Sequence, residues 1–271
     1  MPLPIARRLL PALLALPLTQ GQAASRAALE AVHDVRIWID ARNCGAAVEQ
    51  LKAGLKAGHP EVALLAGSMY EHGVCVKASW DNAVTFYVQA HQGGLPGAAA
   101  RLAAGYADPA RGPDAAAALW WSLRDRSGAR SGSCAVPQGV EQDPERFVAE
   151  LKTWEPARLA ICNYIIGVLW TIAAEVKYPA QAQAWGLHGD VTLRFLPGVP
   201  RIEVKKGETG AYQLYGLIDG DVLRDRESIP ARDGFEKLMR EVADRALRRY
   251  PQPPGIPTDT SVSVKYVFSL E

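Results

Sequence analysis

The sequence contains none of the short motifs by which common catalytic sites are recognised. It has no Ser-x-x-Lys pair, no phosphate-binding glycine loop and no nucleophile elbow. Its five histidines are scattered, and only His72 and Cys75 have a ligand-like spacing, which is too few groups for a zinc site. Asp219-Gly220-Asp221 lacks the further spaced oxygen ligands of a calcium loop. We therefore predict that the protein is not an enzyme and has no metal or cofactor.

Charge of one sign and long apolar runs are also scarce. The 30 Lys and Arg residues are balanced by 29 Asp and Glu residues, so a net charge of +1 would not recruit nucleic acid or an anionic membrane. One apolar run, Leu9–Leu18, follows Arg7-Arg8, and it is shorter than the roughly 20 residues of a membrane-spanning helix. This predicts a signal peptide over residues 1–24, cleaved between Gln22 and Ala27, where small residues cluster. An uncleaved short anchor is the alternative.

Residues 28–126 contain an internal repeat. A shift of 36 residues superposes Ala47-Val48 on Ala83-Val84, Gly58-x-Pro60 on Gly94-x-Pro96, and Tyr70 on Tyr106. Each unit divides into two helix-length segments, 59–72 with 80–92 and 96–107 with 114–126. Small residues that let neighbouring helices approach closely recur in them: Ala63, Gly67, Ala83, Ala90, Ala99 and Ala103. We predict antiparallel helix pairs stacked in a row over residues 25–126.

One signature within these units resembles the Sel-one-like subclass of tetratricopeptide-type repeats. It reads Gly67-x-x-Tyr70-x-x-Gly73-Val74, with Ala83, Tyr87, Ala90 and Gly93 behind it. The resemblance implies a curved α/α superhelix that holds other proteins. About two and a half units are present, fewer than such stacks use, so a capping element is expected.

Four cysteines in an exported chain predict disulfide bonds, because the number is even and the compartment is oxidising. Three pairings are possible. We favour Cys44 with Cys75, because Cys44 opens one helix and Cys75 lies in a loop close to the start of another, and Cys134 with Cys162. Each loop of about 30 residues would then stabilise the fold by roughly 3 to 4 kcal/mol in the chain-entropy model. Four buried free thiols are the alternative.

Residues 127–177 are predicted to form a loop followed by capping helices. A helix start is indicated by Asp143-Pro144-Glu145, with proline in the first turn. A longer apolar helix is predicted over Pro156–Lys177. Its apolar centre of about 15 residues is typical of a buried helix and not of a membrane span. We expect this helix to cap the repeats and to couple them to the C-terminal domain.

The pattern of residues 178–271 predicts strand, strand, helix, strand. Apolar and polar residues alternate over Val191–Phe195, and a second short run covers Ile202–Val204. A helix capped by Asp233 carries one apolar stripe, formed by Phe235, Leu238, Met239, Val242 and Ala246. In the final strand, Ser261–Ser269, alternate residues from Val262 to Phe268 share one face. The whole chain is therefore predicted to be α+β, with a small antiparallel ββαβ domain at its C-terminus.

That element order resembles the C-terminal domain of the TonB energy-transducer family. The matching residues are Tyr178-Pro179-Ala180, Ala182, Gly189-x-Val191-x-Leu193-x-Phe195, Glu203-Val204, Arg248-Arg249-Tyr250-Pro251 and Val264-x-Tyr266-x-Phe268. Two segments differ from the family: the turn at Leu196–Pro200 is longer, and residues 207–232 are an insertion. The resemblance implies that an edge strand grips a short segment of an outer-membrane receptor.

The binding residues predicted on this strand are Ser261, Ser263, Lys265 and Val267, on the face away from the core. Lys265 is alternatively an edge guard against aggregation. The expected partners are proteins of the cell envelope, outer-membrane receptors among them, and not nucleic acid. Homodimer formation through the terminal strand is a further alternative.

Two functional hypotheses follow, with an enzymatic one as a distant third. The first is a periplasmic adaptor with two protein-binding surfaces. The second is an energy transducer anchored in the inner membrane. The Pro-Glu and Pro-Lys spacer that would extend across the periplasm at about 3.1 Å per residue is absent, which favours the adaptor. The third, a repeat-based or penicillin-recognising enzyme, is disfavoured by the missing Ser-x-x-Lys motif.

Overall fold

The protein combines helices with a small antiparallel sheet and is therefore α+β. The computed structural model describes residues 25–125, 132–179, 182, 186–211 and 234–269. The helices are α1 (Arg26–Asp40), α2 (Cys44–Lys56), α3 (Pro60–His72), α4 (Trp80–Gln92), α5 (Ala98–Ala107), α6 (Ala115–Ser122), α7 (Pro144–Leu151), α8 (Pro156–Glu175) and α9 (Gly234–Arg249). The strands are β1 (Leu187–Leu196), β2 (Arg201–Ala211) and β3 (Val262–Phe268). The predicted signal peptide, Asp219–Asp221 and the predicted cap Asp233 lie outside the described residues.

Each of the first six helices packs against the one that follows it. Helices α3 and α4 are antiparallel, because Pro60 at the start of α3 lies beside Gly93 at the end of α4, and Ser79 N donates a hydrogen bond to Tyr70 O (2.9 Å) at the other end. Gly67 permits this close packing, since a Cβ at that position would overlap the ring of Tyr87.

Helix starts are fixed by polar side chains at the N-cap position. Side-chain oxygens accept hydrogen bonds from the first free backbone N–H groups of five helices, and the residues that supply them are Ser25, Asn43, Ser79, Asp114 and Asp143. The end of α6 was predicted wrongly. It stops at Ser122 and not at Arg126, and the guanidinium of Arg124 hydrogen-bonds the carbonyl of Trp120 in its last turn.

Helix α8 contacts α5, α6 and α9. By length and composition it could cross a membrane, but 56% of its most apolar stretch is buried inside the protein. The side chains from Cys162 to Ile172 are almost all buried. The structure thus uses α8 as a core helix that joins the N-terminal helices to the C-terminal sheet.

The sheet has the order β2-β1-β3, and both pairings are antiparallel. Helix α9 packs against β1 and β2, and its buried apolar residues are Phe235, Met239, Val242, Ala243 and Ala246. Strand β2 was predicted too short. It continues past Gly207 to Ala211, because β1 begins at Leu187 and supplies pairing partners for Thr209, Gly210 and Ala211.

Two disulfides join the same cysteine pairs that the sequence analysis favoured. Cys44, the first residue of α2, is bonded to Cys75 in the loop between α3 and α4, with Cα atoms 4.8 Å apart. Cys134 is bonded to Cys162 of α8, with Cα atoms 5.5 Å apart. Disulfides persist in oxidising compartments, so the bonds indicate a location outside the cytoplasm.

Candidate binding site

Strand β3 forms one edge of the sheet. It pairs with β1 from Gly189–Phe268 to Phe195–Val262, and in the described part of the chain it pairs with no other strand. On the side away from its neighbour, an edge strand presents backbone N–H and C=O groups. Another extended chain can form hydrogen bonds with these groups. The terminal strand therefore lies where the sequence analysis expected it.

The inner face of β3 is held firmly by aromatic contacts. Val262, Val264 and Phe268 are buried. The ring of Phe268 stacks on Phe235 of α9, with centroids 4.3 Å apart, and Tyr178 meets both rings edge-on. These contacts fix the position of β3 against α9, so the edge is presented by a rigid support.

Tyr266 also lies on the inner face of β3. Burial raises the pKa of its phenol, and the negative charge of Asp125 acts in the same direction. The phenol therefore stays protonated throughout the physiological range and acts as part of the packed face.

The outer face of β3 carries the four predicted binding residues, and all four are exposed: Ser261, Ser263, Lys265 and Val267. Val267 is 68% exposed, more than any other large apolar side chain in the described chain. Among the described strands, none pairs with β3 on the side away from β1. The first two residues are small and polar and would not obstruct an added strand.

Lys265 is not isolated, because its Nζ lies 3.3 Å from Asp190 Oδ2 of β1. The other carboxylate oxygen of Asp190 accepts a hydrogen bond from Glu208 N (3.2 Å), where β2 has an extra residue opposite β1. Asp190 thus ties all three strands together. Asp190 was not predicted as a site residue, because no local pattern in the sequence marks a side chain that becomes a cross-strand partner.

The two edges of the sheet differ in charge. Strand β2 carries five charged residues: Arg201, Glu203, Lys205, Lys206 and Glu208. In β3 the only charged residue is Lys265. Charged side chains on an edge strand oppose pairing with another chain. The edge at β3 is therefore the less protected of the two.

A second polar region, which we call the seam, joins α9 and Tyr250 to α5 and α8. The hydroxyl of Tyr250 lies 2.9 Å from Thr171 Oγ1 and donates to Ala104 O at 3.1 Å. A Cβ at Gly167 of α8 would overlap the Tyr250 ring, so glycine is needed for this approach. The Arg-Arg-Tyr sequence at the end of α9 thus lies against the N-terminal helices.

An ion pair between Arg249 and Asp108 strengthens the seam. Nη2 of Arg249 lies 2.5 Å from Oδ2 of Asp108. Burial opposes ionisation of Asp108, but hydrogen bonds from Arg249 and from Ala110 N outweigh burial and lower the pKa of this carboxyl group. The carboxylate is therefore charged at neutral pH. These partners are 141 residues apart, and no pattern in the sequence marks them as a pair.

The described residues contain no group of three or more His, Cys, Asp or Glu side chains that could hold a metal ion. Cys75 is bonded to Cys44, so it is not available beside His72 as a thiolate ligand. Comparison of the chain with models of known protein families, with curated protein sequences and with solved structures found no match.

Proposed function

We propose that the protein is a non-enzymatic binding protein of the periplasm. Strand β3 takes up an extended segment of an envelope or outer-membrane protein as an added strand. The observation that carries the proposal is the contrast between the sheet edges: β2 is guarded by five charges, whereas β3 has one charged residue and exposes Val267.

The resemblance to TonB C-terminal domains supports this assignment. The element order β1, β2, α9, β3 is the order on which the resemblance rests. Tyr178, the first residue of the matching pattern, packs against Phe235 and Phe268 and so supports the binding strand from behind. In this proposal residues 178–271 form the gripping domain.

The N-terminal helices provide the second binding surface in the proposal, as Sel-one-like repeats. Two observations support a repeat: α2 and α4 begin 36 residues apart, at Cys44 and Trp80, and each helix packs on its neighbour in sequence. Antiparallel helix pairs arranged in this way stack into extended surfaces that bind other proteins. Helices α7 and α8 cap the stack.

Export to the periplasm is part of the proposal and rests on the two disulfides together with the predicted signal peptide. Fractionation of the bacterial envelope tests it. The mature protein is expected in the soluble periplasmic fraction with both bonds formed. Recovery in the inner-membrane fraction would instead indicate an anchored transducer.

Site-specific photocrosslinking tests the binding edge. A photoreactive amino acid at Val267 is expected to form adducts with an envelope protein in living cells. The control position is Val148 on α7, which is 45% exposed and remote from the sheet in sequence. Adducts at both positions alike, or at neither, would contradict strand addition. An adduct with a second copy would show that the edge forms a homodimer.

Proline substitutions distinguish strand addition from contact through side chains. In an antiparallel strand, N–H groups point alternately to the two sides, so Ser263→Pro and Val264→Pro remove donors on opposite sides of β3. The variant that loses an outward donor is expected to keep the fold, since proline is tolerated there, but to lose the adduct at Val267. If both proline variants fold and both keep the adduct at Val267 undiminished, strand addition is ruled out.

A further inference from the structure

A cavity of about 350 Å³ lies at the seam, between the N-terminal helices and α9. Its walls are formed by α3, α5, the end of α8 and α9. Six of the side chains that line it are acidic or basic: Glu71, Arg101, Glu175, Lys177, Arg245 and Arg249. Cavities of this size at the junction of two structural units are typical of small-ligand sites.

The carboxylates of the cavity are already neutralised. Glu71 accepts hydrogen bonds from Tyr87 Oη (2.6 Å) and Arg111 Nη2 (3.0 Å). Glu175 pairs with Arg245 at 3.2 Å and lies 3.9 Å from Arg249 Nη1. Neither carboxylate needs a further cation.

Arg101 and Lys177 are the two cations of the cavity that do not take part in these close pairs. The shortest ion contact of Arg101 within the described chain is 3.9 Å, to Glu71, and its guanidinium makes no hydrogen bond there, although the side chain is only 20% exposed. Lys177 has no ion pair or hydrogen bond to any described residue and is exposed at the rim. A guanidinium has five N–H donors, so several on Arg101 are free to meet a ligand.

The network of charged side chains around the cavity also has an excess of positive charge. Three carboxylates, on Glu71, Asp108 and Glu175, lie among five cations, which are Arg101, Arg111, Lys177, Arg245 and Arg249. An excess of positive charge in a partly enclosed space attracts anions more strongly than the same charge on an open surface. Guanidinium groups match planar carboxylates and phosphates, with two parallel hydrogen bonds.

We propose that the seam cavity binds a small anion that carries carboxylate or phosphate groups. Arg101 holds the ligand by hydrogen bonds, and Lys177 neutralises its remaining negative charge from the rim. Because Arg245 and Arg249 of α9 line the opposite wall, the occupied cavity also connects the C-terminal helix with α3 and α5. This site is separate from the β3 edge and does not depend on it.

Isothermal titration calorimetry of the mature chain at low ionic strength tests the site. The probes are inorganic phosphate and succinate, and the variants are Arg101→Gln and Lys177→Gln. Each variant is expected to raise the dissociation constant about tenfold or more, since each removes a charge-assisted contact. The matched control is Arg240→Gln on α9, which is 60% exposed and paired with Glu236 outside the cavity. It should leave binding unchanged.

If only phosphate binds, the ligand carries phosphate groups. If only succinate binds, the ligand carries carboxylate groups. Either result supports the site. Failure of both probes to bind the wild type would overturn it. So would equal weakening by Arg240→Gln, which would show a general charge effect. Circular dichroism checks folding, and if Arg101→Gln does not fold, unchanged affinity in Lys177→Gln, whose side chain is exposed, overturns the proposal.

Discussion

Helices α1 to α4 and the rest of the molecule bury their apolar residues in different ways. The first four helices, together with Ala98 and Leu102 of α5, form three small clusters. These consist largely of alanine and valine, with Leu51, Met69, Tyr87 and Leu102 as larger members. The remainder shares one cluster that runs from Ala100 in α5 to Phe268 in β3. The boundaries predicted near residues 126 and 178 do not interrupt this cluster.

The two ways of burying apolar residues imply different cooperativity of unfolding. A row of helices that contact only nearby helices, as α1 contacts α2 and α3, gains stability contact by contact, and its end can open while the rest stays folded. A continuous core is lost as a unit. Helix α5 belongs to both arrangements, because it contributes Ala98 and Leu102 to the small clusters and also packs against α8. We expect the N-terminal end to open first and the α5–β3 core to unfold last.

The largest effect is expected from a cavity in the shared core. Leu169→Ala, at a residue that is 1% exposed in α8, should lower the global free energy of unfolding by about 3 to 5 kcal/mol. The matched change Leu51→Ala, at 4% exposure in α2, should cost less and act locally. Hydrogen exchange would show lost protection throughout for the first and only in α1 to α3 for the second. Identical exchange maps would break the comparison.

Removal of the disulfides separates the two regions in the same way. Cys134→Ser with Cys162→Ser should cost about 3 kcal/mol of global stability, because the bond joins a turn to the core helix α8. Cys44→Ser with Cys75→Ser should instead expose α1 and α2 to limited proteolysis with little change in the core. A common loss of melting temperature in both variants would argue for one cooperative unit.

Low pH should destabilise the fold through protonation of Glu71. Burial opposes its ionisation, but the hydrogen bond from Tyr87 and the charge of Arg111 outweigh burial and lower its pKa. The resulting stability is complete above the unfolded pKa of about 4.3 and is lost as pH falls through the lower folded pKa. Glu71→Gln should cost about 2 to 3 kcal/mol at pH 7 and flatten this acid dependence in urea titrations. The exposed control Glu49→Gln should leave it unchanged.

The hydroxyl at the seam should have a smaller effect. Tyr250→Phe leaves the ring in place against Gly167 but removes the contacts with Thr171 and Ala104. The expected loss is about 1 to 2 kcal/mol, typical of a buried hydrogen bond. Thermal unfolding measures it, and an unchanged melting temperature would show that the hydroxyl does not couple the two regions.

The smallest effect belongs to the sheet surface. Lys265→Ala breaks the ion pair with Asp190, but the lysine is 61% exposed, so stability should change by less than about 1 kcal/mol. The photocrosslinked adduct at Val267 then decides the role of the lysine. An unchanged adduct would favour a cross-strand support, and a changed partner would favour selectivity.

Local patterns were enough to predict much of this structure. Asp143-Pro144 predicted the start of α7, the alternation from Val191 to Phe195 predicted the centre of β1, and small residues marked where helices touch. The contacts of Asp190 with Lys265 and of Asp108 with Arg249 were not predicted, because their partners meet only after the elements have packed. The length of β2 was missed for the same reason, since its pairing with the first residues of β1 extends it.

The disulfides also have a simple order along the chain. Each joins cysteines that are consecutive in the sequence, at separations of 31 and 28 residues, and neither loop encloses the other. A polypeptide delivered from its N-terminus can therefore be oxidised in the order in which its thiols emerge. Sequential oxidation yields the native pairs directly, so maturation should not require exchange of mispaired bonds by an isomerase.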